Sequence, residues 1–143
     1  MVRFLDYERK PEGGASAVLR AVRAFDAAGI ANRVVAVLDN DTAAADTLRG
    51  YRQSGPSDRI RVMQYPPINL AGQYPTLGPP TMRSPHASIE LADVNGLAGS
   101  IELYLGRDVL TGQDGNLRPV QWTSFVAGMG RYHGEVTAKQ DHT

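Results

Sequence analysis

The chain has no cysteine. This excludes disulfides, thiolate nucleophiles and zinc sites built on sulfur, and it fits a reducing compartment. Lysine is almost missing too: Lys10 and Lys139 are the only lysines among 15 basic residues, set against 15 acidic ones. No net positive field therefore advertises nucleic acid or an anionic membrane. The preference for arginine, with the many alanines, reads as the coding bias of a GC-rich genome rather than a binding signature. No apolar run approaches the roughly 20 residues that span a bilayer, and no signal-peptide core opens the chain. The three histidines, His86, His133 and His142, lack His-x-x-His or His-Glu-x-x-His spacing and read as solvated residues. At 143 residues the chain is long enough for one domain with a real core. The expectation is a soluble cytoplasmic protein with no membrane partner.

The most informative stretch runs from Val34 to Asp46. Val34-Val35-Ala36-Val37-Leu38 is an apolar, β-branched run bounded by Gly29 and Asn32 before it, and it reads as a buried strand. It ends in Asp39-Asn40-Asp41 and passes at once into the alanine-rich helical segment that follows. The carboxyl end of such a strand is where open α/β sheets bind ligands. If the backbone stays extended, Asp39 and Asp41 project to one side, because side chains alternate with a period of two. Two hard oxygen donors would then converge, a natural seat for Mg²⁺ or Mn²⁺. The competing reading has equal standing on spacing alone: Asp41 or Thr42 caps the next helix and Asp39 is a solvated loop acid.

The rest of the chain sets this stretch in an α/β frame. Val2 to Tyr7 reads as a strand, and Arg9 to Gly14 as a polar turn, since its Pro and paired Gly interrupt regular structure. Val18, Leu19, Val22 and Phe25 recur at three and four residues, so residues 16–28 form a helix stopped by Gly29. A second helix spans about 42–52 and a strand 60–64. Strand, helix, strand, helix, strand argues for a mostly parallel, Rossmann-like sheet with right-handed crossovers, flanked by helices. Residues 1–65 form this core. Residues 66–87 form a Pro-rich loop that holds six of the nine prolines, where neither helix nor ladder is expected. Residues 88–143 complete the same domain: a short strand at Ser88 to Leu91, and a helix whose apolar face is Leu97, Ile101, Tyr104 and Leu105. A hairpin follows around Gly112-Gln113-Asp114-Gly115, then a tail with no clear last element.

Other features carry less. Gly13-Gly14 before a helix could offer N–H groups to a phosphate, but no P-loop Lys or spacing accompanies it. Arg131, His133 and Lys139, like Arg9 and Lys10, read as solvated surface rather than a nucleic-acid patch. Trp122 and Tyr132 read as core rather than stacking platforms. Ser16 and Ser124 have no sequence signature of an activated nucleophile.

Four segments together carry a family resemblance: Phe4-Leu5-Asp6-Tyr7-Glu8, Pro11-Glu12-Gly13-Gly14-Ala15, Leu38-Asp39-Asn40-Asp41-Thr42-Ala43-Ala44, and Ala98 to Gly106 with its Ile101-Glu102-Leu103 core. In their order they resemble the Toprim-type region of bacterial HEPN/Toprim-associated proteins, over about residues 3–139. The resemblance implies a Toprim-like α/β fold and divalent-metal chemistry on the phosphodiester bonds of DNA or RNA, with phage defence as the setting. It carries the Asp-x-Asp metal ligands onto Asp39 and Asp41. It makes Glu102 the match to a further metal-holding acid found on a later helix in the nuclease branch.

The Toprim pattern usually opens with a strand and a glutamate that acts as acid or base. That glutamate has no counterpart upstream of Val2, and Glu8 is a stand-in by chemistry only. The chain accordingly reads as a fragment of a longer protein, ahead of a complete protein with a degraded site. Glu8, Asp39, Asp41 and Glu102 are the expected catalytic set for a Mg²⁺- or Mn²⁺-dependent nuclease. Two other classes stay open. One is a non-catalytic interaction or regulatory domain. The other is a receiver-like phosphate acceptor, weakened because no lysine lies between Lys10 and Lys139.

Overall fold

The structure, a computed structural model, describes residues 14–78 and 88–137. The expected first strand and Glu8 lie outside the described residues, as do Arg9, Lys10, His86, Lys139 and His142.

The first half follows the sequence pattern closely. Helix α1 spans Ala15–Ala27, strand β1 Val34–Leu38, the two-residue strand β2 Asn40–Asp41, helix α2 Thr42–Gln53 and strand β3 Ile60–Gln64. Strands β1 and β3 pair in parallel, Val34 with Ile60 through Leu38 with Gln64. Leu19 and Val22 of α1 pack with Ala36 and Leu38 of β1 and with Ala44, Leu48 and Tyr51 of α2, all buried. Both helices therefore lie on the even-numbered face of β1. On its other face Val35 and Val37 are 63% and 45% exposed, with Met63 of β3 beside them at 40%. A single covered face fixes the register of β1, because a slip of one residue would bury Val35 and Val37 in place of Ala36 and Leu38.

The second half departs from a mostly parallel sheet. Strands β4 (Tyr74–Leu77), β5 (Ile89–Ala92), β7 (Val120–Val126) and β8 (Arg131–Val136) form a separate sheet in the order β5-β4-β7-β8. Its pairs are antiparallel except β4 with β7. Ala71, Tyr74, Val94, Ala98, Leu103, Leu110 and Val120 form its core. Tyr74 is fully buried and its hydroxyl donates to the Arg118 carbonyl at 2.9 Å, which satisfies the one polar group it carries inside.

Three local expectations are corrected. The proline-bearing segment is not all loop: a 3-10 helix spans Asn69–Gln73 and β4 follows at once. Pro75 stands opposite Leu91 in the ladder with β5, and on the other side the pairing with β7 starts only at Thr76, past the residue without an N–H. The later helix α3 is only Glu102–Leu105, since Ala98–Gly99 forms strand β6 and pairs with β2. Its buried residue is Leu103, while Ile101 and Leu105 are 45% and 59% exposed. Val109 and Leu110 belong to helix α4 (Arg107–Leu110) rather than to a hairpin. The Asp-Gly turn is closed by the single bridge Thr111 to Leu117. The true hairpin is β7–β8, in the tail that the sequence left without an element.

Candidate functional site

The acids at the end of β1 are held by a strap from the second half. After Leu38 the backbone stays extended: Asn40–Asp41 pairs antiparallel with Ala98–Gly99, and Asp41 has φ −129° and ψ 171°. Asn40 is buried, while Asp39 and Asp41 on either side of it are only partly covered. The alternation expected of an extended chain therefore holds, and both aspartates line one cavity of about 330 Å³. Gln64, the last residue of β3, clamps the turn from below: its Nε2 donates to the carbonyls of Asp39 at 3.0 Å and Asp41 at 3.4 Å.

The two carboxylates differ in their surroundings. Asp39 has its pKa raised to about 6, first by burial and then by the negative charges of Asp41 and Glu102; an N–H bond from Ile101 opposes the shift. Asp41 caps α2, with its Oδ1 accepting the Ala44 N–H at 2.7 Å. The capping role weighed from the sequence is thus real, and it coexists with the placement of Asp41 in the cavity. Oδ2 takes no part in that cap. Glu102 opens α3 and is near enough to raise the Asp39 pKa, but it does not line the cavity. Tyr104, two residues on, stacks on Tyr65 at 4.7 Å between centroids and donates to the Pro66 carbonyl at 2.7 Å. The Tyr104 phenol has its pKa raised, first by burial and in smaller part by the nearby Asp39 charge.

His133, read as surface from the sequence, and Glu135, which the sequence reading did not single out, also stand in the cavity: both residues of β8 line it with the aspartates. Strand β8 is tied there by the buried Thr42, whose Oγ1 donates to the Tyr132 carbonyl at 2.6 Å. A signal existed in the chain. Arg131, His133 and Glu135 alternate with Tyr132, Gly134 and Val136 after the Gly128-Met129-Gly130 turn, the mark of a two-faced strand. The aromatic residues sit on that other face: Phe125 and Tyr132 meet edge to face at 5.2 Å and are 55% and 42% exposed, so Tyr132 is not the core residue expected.

Among the described residues, no three His, Asp or Glu side chains gather as a group able to hold a metal ion by themselves. Asp39 and Asp41 are the two carboxylates that the end of β1 brings to the cavity. Mg²⁺ is commonly held by one or two carboxylates, with water and substrate phosphate completing its octahedron, so the pair fits such an ion and does not form an all-protein cage. No family model, no curated protein and no solved structure matches the chain. Within the described residues no helix is long and apolar enough to cross a membrane. The fold and the site together define a mixed α/β protein with a carboxylate-lined cavity at the carboxyl end of a parallel strand pair.

Proposed function

We propose that the cavity is a Toprim-type site for phosphodiester chemistry on nucleic acid, with Asp39 and Asp41 as the ligands of Mg²⁺ or Mn²⁺. The observation that carries this reading is the pair itself: two carboxylates on one side of an extended backbone share a cavity, and burial, then the charges of Asp41 and Glu102, hold Asp39 at a pKa of about 6. Such crowding of negative charge is relieved by a cation. A bound divalent cation supplies neutralisation of the phosphate charge and acidification of a bound water. The chain's own residues do the rest. Asp39 and Asp41 position the phosphate side of the substrate, Gln64 fixes their backbone, and Glu102 adds negative field from outside the cavity as an outer partner rather than a direct ligand. Phage defence is the setting that the family resemblance suggests for such a nuclease.

A second reading has its own observation. Asp41 already serves α2 as a cap, and the described residues lack a three-ligand cluster. Both suit a Toprim-like interaction or regulatory domain without catalysis. Cleavage assays on single- and double-stranded DNA and RNA with Mg²⁺ or Mn²⁺ separate the two readings. The nuclease reading requires metal-dependent product that disappears in Asp39→Ala, Asp41→Ala. Absence of product from every substrate leaves the interaction domain.

A further inference from the structure

The parallel pair β1–β3 is covered on one face only. Parallel strands are as a rule buried on both faces, because their crossover helices lie on either side of the sheet. In this chain α1 and α2 both take the even-numbered face of β1. The opposite face presents Val35, Val37 and Met63 to solvent. Ile101, whose N–H reaches the Asp39 carboxylate, adds an exposed apolar side chain near the end of β1. Adjoining apolar side chains on one sheet face mark an interaction surface, which singly scattered ones do not.

The charges on this face are ordered. The register sets Arg61 beside Val35 and Met63 beside Val37. Arg61 is exposed and enters no ion pair among the described residues. Asp39 follows Val37 by two residues on the same side of the extended chain, and Tyr65 follows Met63 likewise. The strands still run together there, since the Tyr65 N–H bonds the Leu38 carbonyl at 3.0 Å. The row of Val37 and Met63 is therefore the midpoint between a basic end and an acidic end, which lie about 13 Å apart at about 3.3 Å per residue. Glu102, close enough to act on Asp39, strengthens the acidic end. Such a face is complementary to itself in one orientation. A twofold axis across the strands at the level of Val37 and Met63 runs the two copies antiparallel and sets Arg61 of each over Asp39 and Tyr65 of the other. A twofold along the strands sets like charges together.

We propose that this face docks a second copy of the chain, in an isologous dimer whose centre is Val37 and whose ends are Arg61 paired across the interface with Asp39. Stacked sheets lie about 10 Å apart, a gap that an arginine and a carboxylate extended towards each other bridge. Val37 and Asp39 also line the cavity, so Arg61 of one copy stands at the cavity rim of the other. The patch is smaller than the roughly 20–30 residues a side of a standard interface, which sets the expected dissociation constant in the micromolar range.

The test is sedimentation equilibrium of the full chain, without divalent cations, from low micromolar to several hundred micromolar concentration. Expected is a monomer–dimer equilibrium whose Kd rises at least about tenfold in Val35→Asp and in Arg61→Glu. Unfolding curves at the lowest concentration check that both variants fold, as the exposure of both side chains predicts. Because the chain has no cysteine, single cysteines read the register independently. Val37→Cys should cross-link to its copy with a short bis-maleimide, and Ile89→Cys, exposed on the other sheet, should not. A wild type that stays monomeric throughout overturns the proposal. So does a dimer that survives both substitutions, or one that cross-links through Ile89→Cys instead. None of these readouts uses metal or substrate, so a failure leaves the reading of Asp39 and Asp41 as it stands.

Discussion

Gly99 lies against Asn40 so closely that a Cβ on it would stand 2.5 Å from the Asn40 carbonyl oxygen and 2.9 Å from its Cβ. This contact is the two-residue ladder between β2 and β6, and it brings the backbone of Ile101 up to the Asp39 carboxylate. A glycine is needed because the obstacle is backbone, which cannot turn aside as a flexible side chain can. Gly99→Ala should destabilise the fold by about 1–3 kcal/mol, read as a lower midpoint in thermal or urea unfolding. It should also displace the Asp39 turn, so metal affinity should fall with stability. Ala at Gly50, where a Cβ meets nothing within 4 Å, is the control and should be neutral or slightly stabilising, since this position is inside α2.

Asp41 can be split into its two roles. Asparagine retains an oxygen that accepts the Ala44 N–H but loses the charge. Asp41→Asn should keep wild-type stability within a few tenths of a kcal/mol, whereas Asp41→Ala should lose about 1 kcal/mol. Both should bind Mg²⁺ and Mn²⁺ weakly or not at all. Chemical denaturation and calorimetry on the same two variants check this, and parallel loss of stability in both would contradict the division.

Asp39 gives the metal-free fold a defined pH response. Its folded pKa of about 6 lies above the ordinary 3.8, so between those values the native state holds more proton than the unfolded chain. The contribution to stability is fully present below pH 3.8 and is lost as pH rises through about 6. Asp39→Asn should therefore be more stable than wild type at pH 8, by about 1 kcal/mol after allowance for solvent screening of a half-buried group. The advantage should vanish near pH 4. Unfolding curves of the two proteins at a series of pH values, without divalent cations, test the sign.

Thr42 joins the halves of the molecule through a buried hydroxyl on the Tyr132 carbonyl, 2.6 Å away. Thr42→Val keeps the shape and leaves that carbonyl without its partner, at a cost of about 1–3 kcal/mol. Thr42→Ser keeps the bond and should cost less. Amide hydrogen exchange in β8 should quicken in the valine variant and not in the serine variant.

How far the sequence could be read follows the range of the interactions. Strand β1, strand β3 and both long helices were legible because apolar spacing, the Asp41 cap and Gly29 act within a few residues. The alternation that puts Asp39 and Asp41 in one cavity was legible for the same reason. The second sheet was not, because its pairings join distant segments: Thr76 pairs with Val120, and β4 runs through the proline-bearing stretch that local rules assign to loop. The β6 pairing that shortened the later helix is likewise non-local, Asp41 to Ala98. His133 was read as surface because its spacing from the other histidines marks no site, and Glu135 drew no reading at all. Their partners lie about ninety residues away, as the bond from Thr42 to Tyr132 shows.

The central claim is that Asp39 and Asp41 together hold a divalent cation, and calorimetric titration of Mg²⁺ and Mn²⁺ into wild type and Asp39→Asn, Asp41→Asn tests it most directly. The account predicts saturable binding to wild type near one equivalent and none to the double variant, whose cap and fold are retained. Equal binding to both, or no binding to a folded wild type, would contradict it.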